Sequence, residues 1–151
     1  MEKVLVTGAT GYIGLHCIHQ LLNQGYAVNG SVRSPERKDE ILEALKNHNT
    51  STEHLNLFTF DLNDDEGWDQ GMEGCDYLLH VASLIALENH DEDFFVKPAV
   101  AGVKRAMKFA KKHNVKKVVL TSSVAAIFET METKSYYDET DWSVSYTHLT
   151  L

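Results

Sequence analysis

Three glycines near the amino terminus, Gly8, Gly11 and Gly14, stand at the spacing G-x-x-G-x-x-G within V-T-G-A-T-G-Y-I-G. A backbone without side chains can approach an anion closely, and the first N–H groups of a following helix can then donate to phosphate oxygens. The triplet therefore has the composition of a phosphate cradle. A second group follows about 20 residues later, where S-V-R-S-P-E-R-K brings together Arg33, Arg37 and Lys38. A guanidinium offers paired donors that match phosphate oxygens. Asp61, in F-D-L, and the hydroxyls of T-S-S, Thr121 to Ser123, are further polar candidates.

Glycine triplets also serve turns and helix packing that bind nothing, so the surrounding elements decide. Residues 4–6 are an apolar strand run, and Ile13, Leu15, Ile18, Leu21 and Leu22 recur at the interval of an amphipathic helix. Strand, tight turn and helix open a β-α-β unit, the context in which such a turn holds a dinucleotide pyrophosphate. Gly25 supplies a helix stop, and 27–32 reads as the second strand. At its end an acidic residue would bind the ribose 2′-hydroxyl, whereas arginine suits a 2′-phosphate. Arg33 stands there with no acid, which predicts NADP(H) rather than NAD(H). The alternative is a solvated basic start to the next helix.

Farther along, Pro35 and the apolar Ile41, Leu42 and Leu45 predict a second helix, which fades into the polar loop N-H-N-T-S-T-E-H. A third strand spans 55–60. Asp61 then either accepts from the adenine amino group or caps the short acidic helix that packs Trp68 and Met72. D-Y-L-L-H-V-A, residues 76–82, is apolar enough for a central parallel strand covered on both faces. Its end, Val81, Ala82 and Ser83, is expected to line the cofactor. A helix over 91–113 contains Pro98, expected to mark a kink or a fresh start, and a fifth strand spans 118–121. Alternation of this kind predicts an α/β, Rossmann-like doubly wound parallel sheet of order 3-2-1-4-5, with ligands beyond the strand carboxyl ends. Gly8, Arg33, Asp61, Ser83 and Ser123 all fall at such ends.

The net charge of −8 over 151 residues argues against a general polyanion-binding surface and against nucleic acid as a partner. No apolar run approaches the ~20 residues of a membrane span, and the chain enters its first strand without a leader pattern, so no membrane partner and a cytoplasmic location are expected. Cys17 and Cys75 form no C-x-x-C pair and are expected to be reduced and structural. His16 and His19 lie one helical turn apart, but no third ligand is indicated; solvated surface histidines and no metal are expected. His80, inside a buried strand, is expected to be a hydrogen-bonded core residue. Ser122 and Ser123 lack the G-x-S-x-G elbow of a Ser-His-Asp hydrolase.

Taken together, V-T-G-A-T-G-Y-I-G, S-V-R-S-P-E-R, F-D-L, H-V-A-S and V-V-L-T-S-S-V-A-A-I resemble the extended short-chain dehydrogenases/reductases. The branch is similar to dihydroflavonol reductases, cinnamoyl-CoA reductases and microbial aldehyde or ketone reductases. The resemblance reaches about Trp142 and includes D-E-T-D-W. It implies Gly8, Gly11 and Gly14 at the pyrophosphate with Thr10, Tyr12 and Ile13 in the same turn, Arg33 and Arg37 at the 2′-phosphate, and Asp61 with Leu62 at the adenine. Val81, Ala82, Ser83 and Thr121 would lie along the cofactor. Ser123, rather than Ser122, matches the serine that hydrogen-bonds a small-molecule carbonyl substrate. The implied activity is NADPH-dependent reduction of an aldehyde, ketone or dihydroflavonol-like carbonyl. Two other readings are a non-catalytic dinucleotide-binding regulator and an NAD-dependent sugar-nucleotide epimerase, dehydratase or hydroxysteroid-type dehydrogenase, against which Arg33 weighs.

The family reaction also needs a tyrosine and, four residues later, a lysine that lowers its pKa. Tyr12, Tyr26, Tyr77, Tyr136, Tyr137 and Tyr146 are followed at that distance by His16, Gly30, Val81, Thr140, Asp141 and Thr150, so Y-x-x-x-K does not occur. Residues 1–143 are accordingly expected to be an incomplete, amino-terminal NADP-binding domain. Residues 144–151, in V-S-Y-T-H-L-T-L, resemble translated sequencing adapter and are expected to be a non-native tail; an ordinary divergent loop is the alternative. Leu84 departs from the proline that many relatives carry after H-V-A-S.

Overall fold

Successive side chains of a strand point to opposite faces, and in the first strand both faces are buried: Val4 and Val6 enter one apolar cluster and Leu5 another. A strand buried on both sides must lie between two layers of helices. The structure, a computed structural model, describes residues 1–83, 92–128, 135–138 and 140–141. It divides into two units, residues 1–120 and 121–151. The first unit runs β1 (Lys3–Thr7), α1 (Tyr12–Asn23), β2 (Ala27–Val32), a 3-10 turn (Pro35–Arg37), α2 (Lys38–Asn47), β3 (Leu55–Thr59), α3 (Trp68–Met72), β4 (Tyr77–His80), α4 (Glu92–Lys112) and β5 (Lys117–Leu120). All neighbouring strands pair in parallel, in the order β3-β2-β1-β4-β5. This is the expected sheet.

Ile18, Ile41 and Leu45 from α1 and α2 cover the face of Val4, Val6, Val28 and Val32. On the other face Trp68 and Met72 from α3 and Ala106, Phe109 and Ala110 from α4 cover Leu5 and Leu78. The chain leaves β1 toward β2 on one side and later returns to β4 on the other. That reversal opens a crevice at the carboxyl ends of β1 and β4.

Three helices end alike. Gly25, with φ +85°, follows α1; its N–H reaches the Leu22 carbonyl, and that of Tyr26 the Leu21 carbonyl, at 3.1 Å each. This paired closure returns the chain to the sheet. Asn49 and Asn114, both with φ of 55°, do the same after α2 and α4.

Several sequence boundaries move. β1 is longer than expected, while β3, β4 and β5 stop at Thr59, His80 and Leu120, so Phe60, Val81, Ala82 and Thr121 follow strands rather than belong to them. α4 runs through Pro98 without a fresh start. One missing helical hydrogen bond is outweighed by the burial of Ala106, Phe109 and Ala110 and by ion pairs from this helix to Asp65 and Asp69. Leu84 and residues 144–151 lie outside the described residues, as do 129–134 and Trp142. In the second unit, Ala125–Phe128 is helical, and the Thr140 N–H and hydroxyl donate to the Asp138 carboxylate at 2.9 and 2.7 Å.

Candidate functional site: a glycine turn at the carboxyl edge of the sheet

The three glycines do three different things. Gly8 turns the chain out of β1 with φ +74°, and a Cβ on it would stand 3.1 Å from both Cα and Cβ of Ala82. Gly14 lies in the first turn of α1, where a Cβ would overlap the Gly8 carbonyl. Gly11 is the N-cap of α1, extended at φ −78° and ψ 155°. A Cβ there would meet only the Gly8 carbonyl oxygen, at 3.3 Å. The protein's own backbone thus requires two of the glycines, while Gly11 keeps open the exposed side. No side chain caps α1 among the described residues, so the N–H groups of Tyr12 and Ile13 face outward without a helical acceptor. A backbone held open beside the positive end of a helix fits a pyrophosphate. Thr10, Tyr12 and Ile13 belong to this same turn.

Two side chains fix the turn, and neither was picked out from the sequence. Ser31 in β2 accepts the Gly8 N–H on its Oγ at 3.1 Å, and its carbonyl accepts the Ala9 N–H at 2.9 Å. Thr7 at the end of β1 accepts the N–H groups of both Val81 and Ala82 on Oγ1, at 3.1 Å each. The signal available was a pair of hydroxyl residues at strand ends facing an apolar core. Thr7 Oγ1 also lies 3.0 Å from His80 Nδ1. With both lone pairs occupied by backbone donors, the hydroxyl proton goes to Nδ1, so His80 is neutral and carries its proton on Nε2. Burial holds its pKa below the ordinary 6.5. His80 is the hydrogen-bonded core residue expected.

Arg33 follows β2 directly, exposed, and has no hydrogen-bond or ion-pair partner among the described residues. Arg37 is instead committed: its Nε and Nη2 donate to the Glu40 carboxylate at 3.1 and 2.9 Å. That leaves its Nη1 side for another acceptor, and the guanidinium holds the Glu40 carboxyl below its usual range. After β3, Asp61 Oδ1 accepts the Asn63 N–H at 2.7 Å. It does not cap α3, whose N-cap is Gly67. The Asp61 carbonyl accepts from Trp68 Nε1 at 3.0 Å. Leu62 packs on the core around Trp68 and Phe109, and its carbonyl accepts from Arg105. A cavity of about 520 Å³ beside β3 is lined by Thr59, Asp61, Asp64 and Glu66 among others. Its carboxylates suit a donor-bearing group rather than a phosphate.

Gly8, Arg33 and Val81 to Ser83 therefore gather at the carboxyl edge of β2, β1 and β4, with Asp61 after β3 on the same edge. Thr121 and Ser123 fall in the second unit, both exposed. Of the two histidines of α1, one meets the expectation of a solvated surface residue and the other does not. His16 is exposed, but His19 is half-buried, its Nδ1 2.6 Å from Thr50 Oγ1 and its ring centroid 5.6 Å from that of His48. It ties α1 to the end of α2. No group of three or more metal-ligating side chains occurs among the described residues. Nor is any described helix long and apolar enough to cross a membrane. Cys17 and Cys75 are free thiols, and burial pushes that of Cys75 up to about 11.

The sequence pattern of the 3-beta hydroxysteroid dehydrogenase/isomerase family matches residues 5–149. The chain belongs to this family. Among its relatives is a bifunctional dihydroflavonol 4-reductase/flavanone 4-reductase of Pyrus communis, 35% identical over 94% of this chain and 41% of its own. Yeast methylglyoxal/isovaleraldehyde reductase, solved in complex with NADPH, superposes with a TM-score of 0.80 at 31% identity, over 94% of this chain and 44% of its own. Vestitone reductase from alfalfa does so with a TM-score of 0.79 at 31% identity, over 95% and 43%. The chain thus spans about two fifths of the length of the first of these relatives. The expected resemblance to extended reductases of the dihydroflavonol branch is met.

Proposed function

We propose that this chain is the cofactor-binding part of an NADPH-dependent reductase acting on an aldehyde, ketone or dihydroflavonol-like carbonyl. The observation that carries the reading is Gly11: inside the protein a side chain there would press only on the Gly8 carbonyl oxygen, at 3.3 Å, and its absence clears the exposed backbone for a pyrophosphate. The unpartnered Arg33 at the adjoining strand end supports a 2′-phosphate. The names of the pear, yeast and alfalfa relatives, all reductases, support the reaction class.

In this reading the Tyr12 and Ile13 N–H groups and the Gly11 backbone receive the pyrophosphate, Arg33 and the open side of Arg37 receive the 2′-phosphate, and Asp61 lies toward the adenine. Val81, Ala82 and Ser83 line the cofactor; for Thr121 and Ser123, in the second unit, the roles at the cofactor and at the substrate carbonyl oxygen rest on the family resemblance alone. NADPH, when bound, supplies the hydride. Y-x-x-x-K does not occur in these 151 residues, so none of their tyrosines is assigned as the proton donor. Calorimetric titration of the chain with NADPH and NADH, beside an assay of NADPH oxidation with aldehyde and ketone substrates, tests the reading. Tighter binding of NADPH without turnover is expected; equal affinity for both nucleotides, or carbonyl reduction by the chain alone, contradicts it.

The absence of Y-x-x-x-K also favours a second reading, a non-catalytic dinucleotide-binding regulator. The full gene discriminates: a Y-x-x-x-K pair in it excludes the regulator.

A further inference from the structure

His80 has no counterpart in the reading above, yet it touches the residue that shapes the cofactor turn. We propose that His80 is a positioning residue: its unprotonated Nδ1 holds the Thr7 hydroxyl proton, which leaves both Thr7 lone pairs aimed at the Val81 and Ala82 N–H groups, and protonation of the imidazole releases the wall of the cradle. The inference rests on the dinucleotide reading of the glycine turn.

Thr7 and His80 are register partners across β1 and β4, and their side chains are 0% and 2% exposed. Water therefore cannot replace either partner. An sp3 hydroxyl has one proton and two lone pairs, and here each has a single use: the proton for Nδ1, the lone pairs for two backbone donors. A proton on Nδ1 would turn that acceptor into a third outside donor. The Thr7 hydroxyl would then face three donors with two lone pairs, and its own proton would have no acceptor.

The surroundings do not compensate such a charge. From β1 the ring faces Thr7, from α3 the Trp68 ring with 6.3 Å between centroids, and from β5 its ladder neighbour Leu120. Of the charged groups on α3 and α4, Asp69, Arg105, Lys108 and Lys112 pair with one another, with Asp65 or with His113 just after α4, and Lys97, Lys104 and Lys111 are exposed. Burial disfavours the charged imidazole. The consequence reaches the cradle through Ala82, whose Cα and Cβ lie 3.1 Å from where a Cβ on Gly8 would be. A shift of 81–82 narrows or opens the turn.

Three readouts on the 151-residue chain test this: ring-nitrogen NMR of His80, amide exchange at Val81 and Ala82, and NADPH titration across pH. The variants are His80→Asn, whose Oδ1 replaces Nδ1 as acceptor, and His80→Phe, which keeps a ring without one. Expected are the Nε2–H tautomer, persisting below about pH 6, and native-like protection and affinity in His80→Asn, within about twofold. His80→Phe should lose about tenfold in both, the worth of one hydrogen bond. The cofactor's 2′-phosphate titrates in the same range, so the pH effect is read as the difference between native and His80→Asn. Native affinity should fall more steeply with acid than that of His80→Asn. An Nδ1–H tautomer, native-like protection in His80→Phe, or identical pH profiles for native and His80→Asn overturns the proposal. If His80→Phe fails to fold, the tautomer and the native against His80→Asn profile still decide. If the native chain binds no NADPH at any pH, the dinucleotide reading fails, while the tautomer and amide exchange continue to judge His80.

Discussion

The carbonyl of Gly8 occupies the space that a side chain on Gly14 would need. The helix can start this close to β1 only because Gly14 has no Cβ. Gly14→Ala should therefore cost about 3 kcal/mol of stability, the upper range for forcing an atom into a packed interior. Gly11→Ala meets a single oxygen at 3.3 Å and keeps an ordinary extended conformation. It should cost under about 1 kcal/mol while weakening NADPH binding severalfold or more. Paired denaturation and titration curves check the contrast; equal stability losses in the two variants would remove the division of roles.

Arg33, exposed and unpartnered among the described residues, is the free cation at the end of β2. Arg33→Ser should reduce the preference for NADPH over NADH by about tenfold or more, as expected for loss of a charge-assisted hydrogen bond. Arg37→Ser should do less, because its guanidinium is already shared with Glu40. Nucleotide titrations of both variants measure this.

Asp65, bonded by Lys108 and Arg105, and Asp69, bonded by Lys112 and His113, have carboxyl pKa values held below the ordinary 3.8. A lowered carboxyl pKa stabilises the fold above the unfolded value, and that contribution is lost as pH falls through the folded one. In thermal melts, a double Asp65→Asn, Asp69→Asn variant should melt below the native chain at neutral pH. The gap should close as the pH drops below about 3.8. A gap that is constant with pH would show that these pairs contribute nothing through their charge. Their exposure keeps the effect small.

Trp68 is fully buried, its ring stacked on Phe109 at 5.7 Å between centroids, and its Nε1 donates to the Asp61 carbonyl. Trp68→Phe keeps a ring but leaves that carbonyl without its donor. We expect a loss of about 1–3 kcal/mol, with faster amide exchange through 61–67. Urea denaturation and exchange measurements report the two effects separately.

Asn114 closes α4 with φ 55°, a region in which glycine carries no Cβ penalty. Asn114→Gly should leave stability unchanged or raise it by a few tenths of a kcal/mol, whereas Asn114→Ala should lower it by about 1 kcal/mol. Thermal melts of the two variants suffice.

Sequence alone determined the order and type of the elements and the edge at which chemistry gathers. Val4 to Val6, the helical spacing of Ile18 and Leu22, and the strands at 27–32 and 76–82 carry periodicities that survive in any compact arrangement. Glycine spacing and Arg33 marked a candidate phosphate site because those residue types have few substitutes there. Tertiary structure decided how each residue is used. Only the approach of α1 to β1 separates Gly14, where a side chain would overlap the Gly8 carbonyl, from Gly11, where it would only press on that oxygen. Arg33 and Arg37 read alike in sequence, and Glu40 folded beside Arg37 makes them different. Pro98 predicted a kink or a fresh start, and the helix continues through it without a fresh start. Thr7, Ser31 and His80 lie inside the quoted motifs, but those motifs do not say what the three side chains bond to. Their roles arise from strand register, which sets a hydroxyl of β1 opposite an imidazole of β4 though 73 residues separate them in the chain. A hydrogen bond depends on a few tenths of an ångström and on burial, and neither is encoded by spacing along the chain.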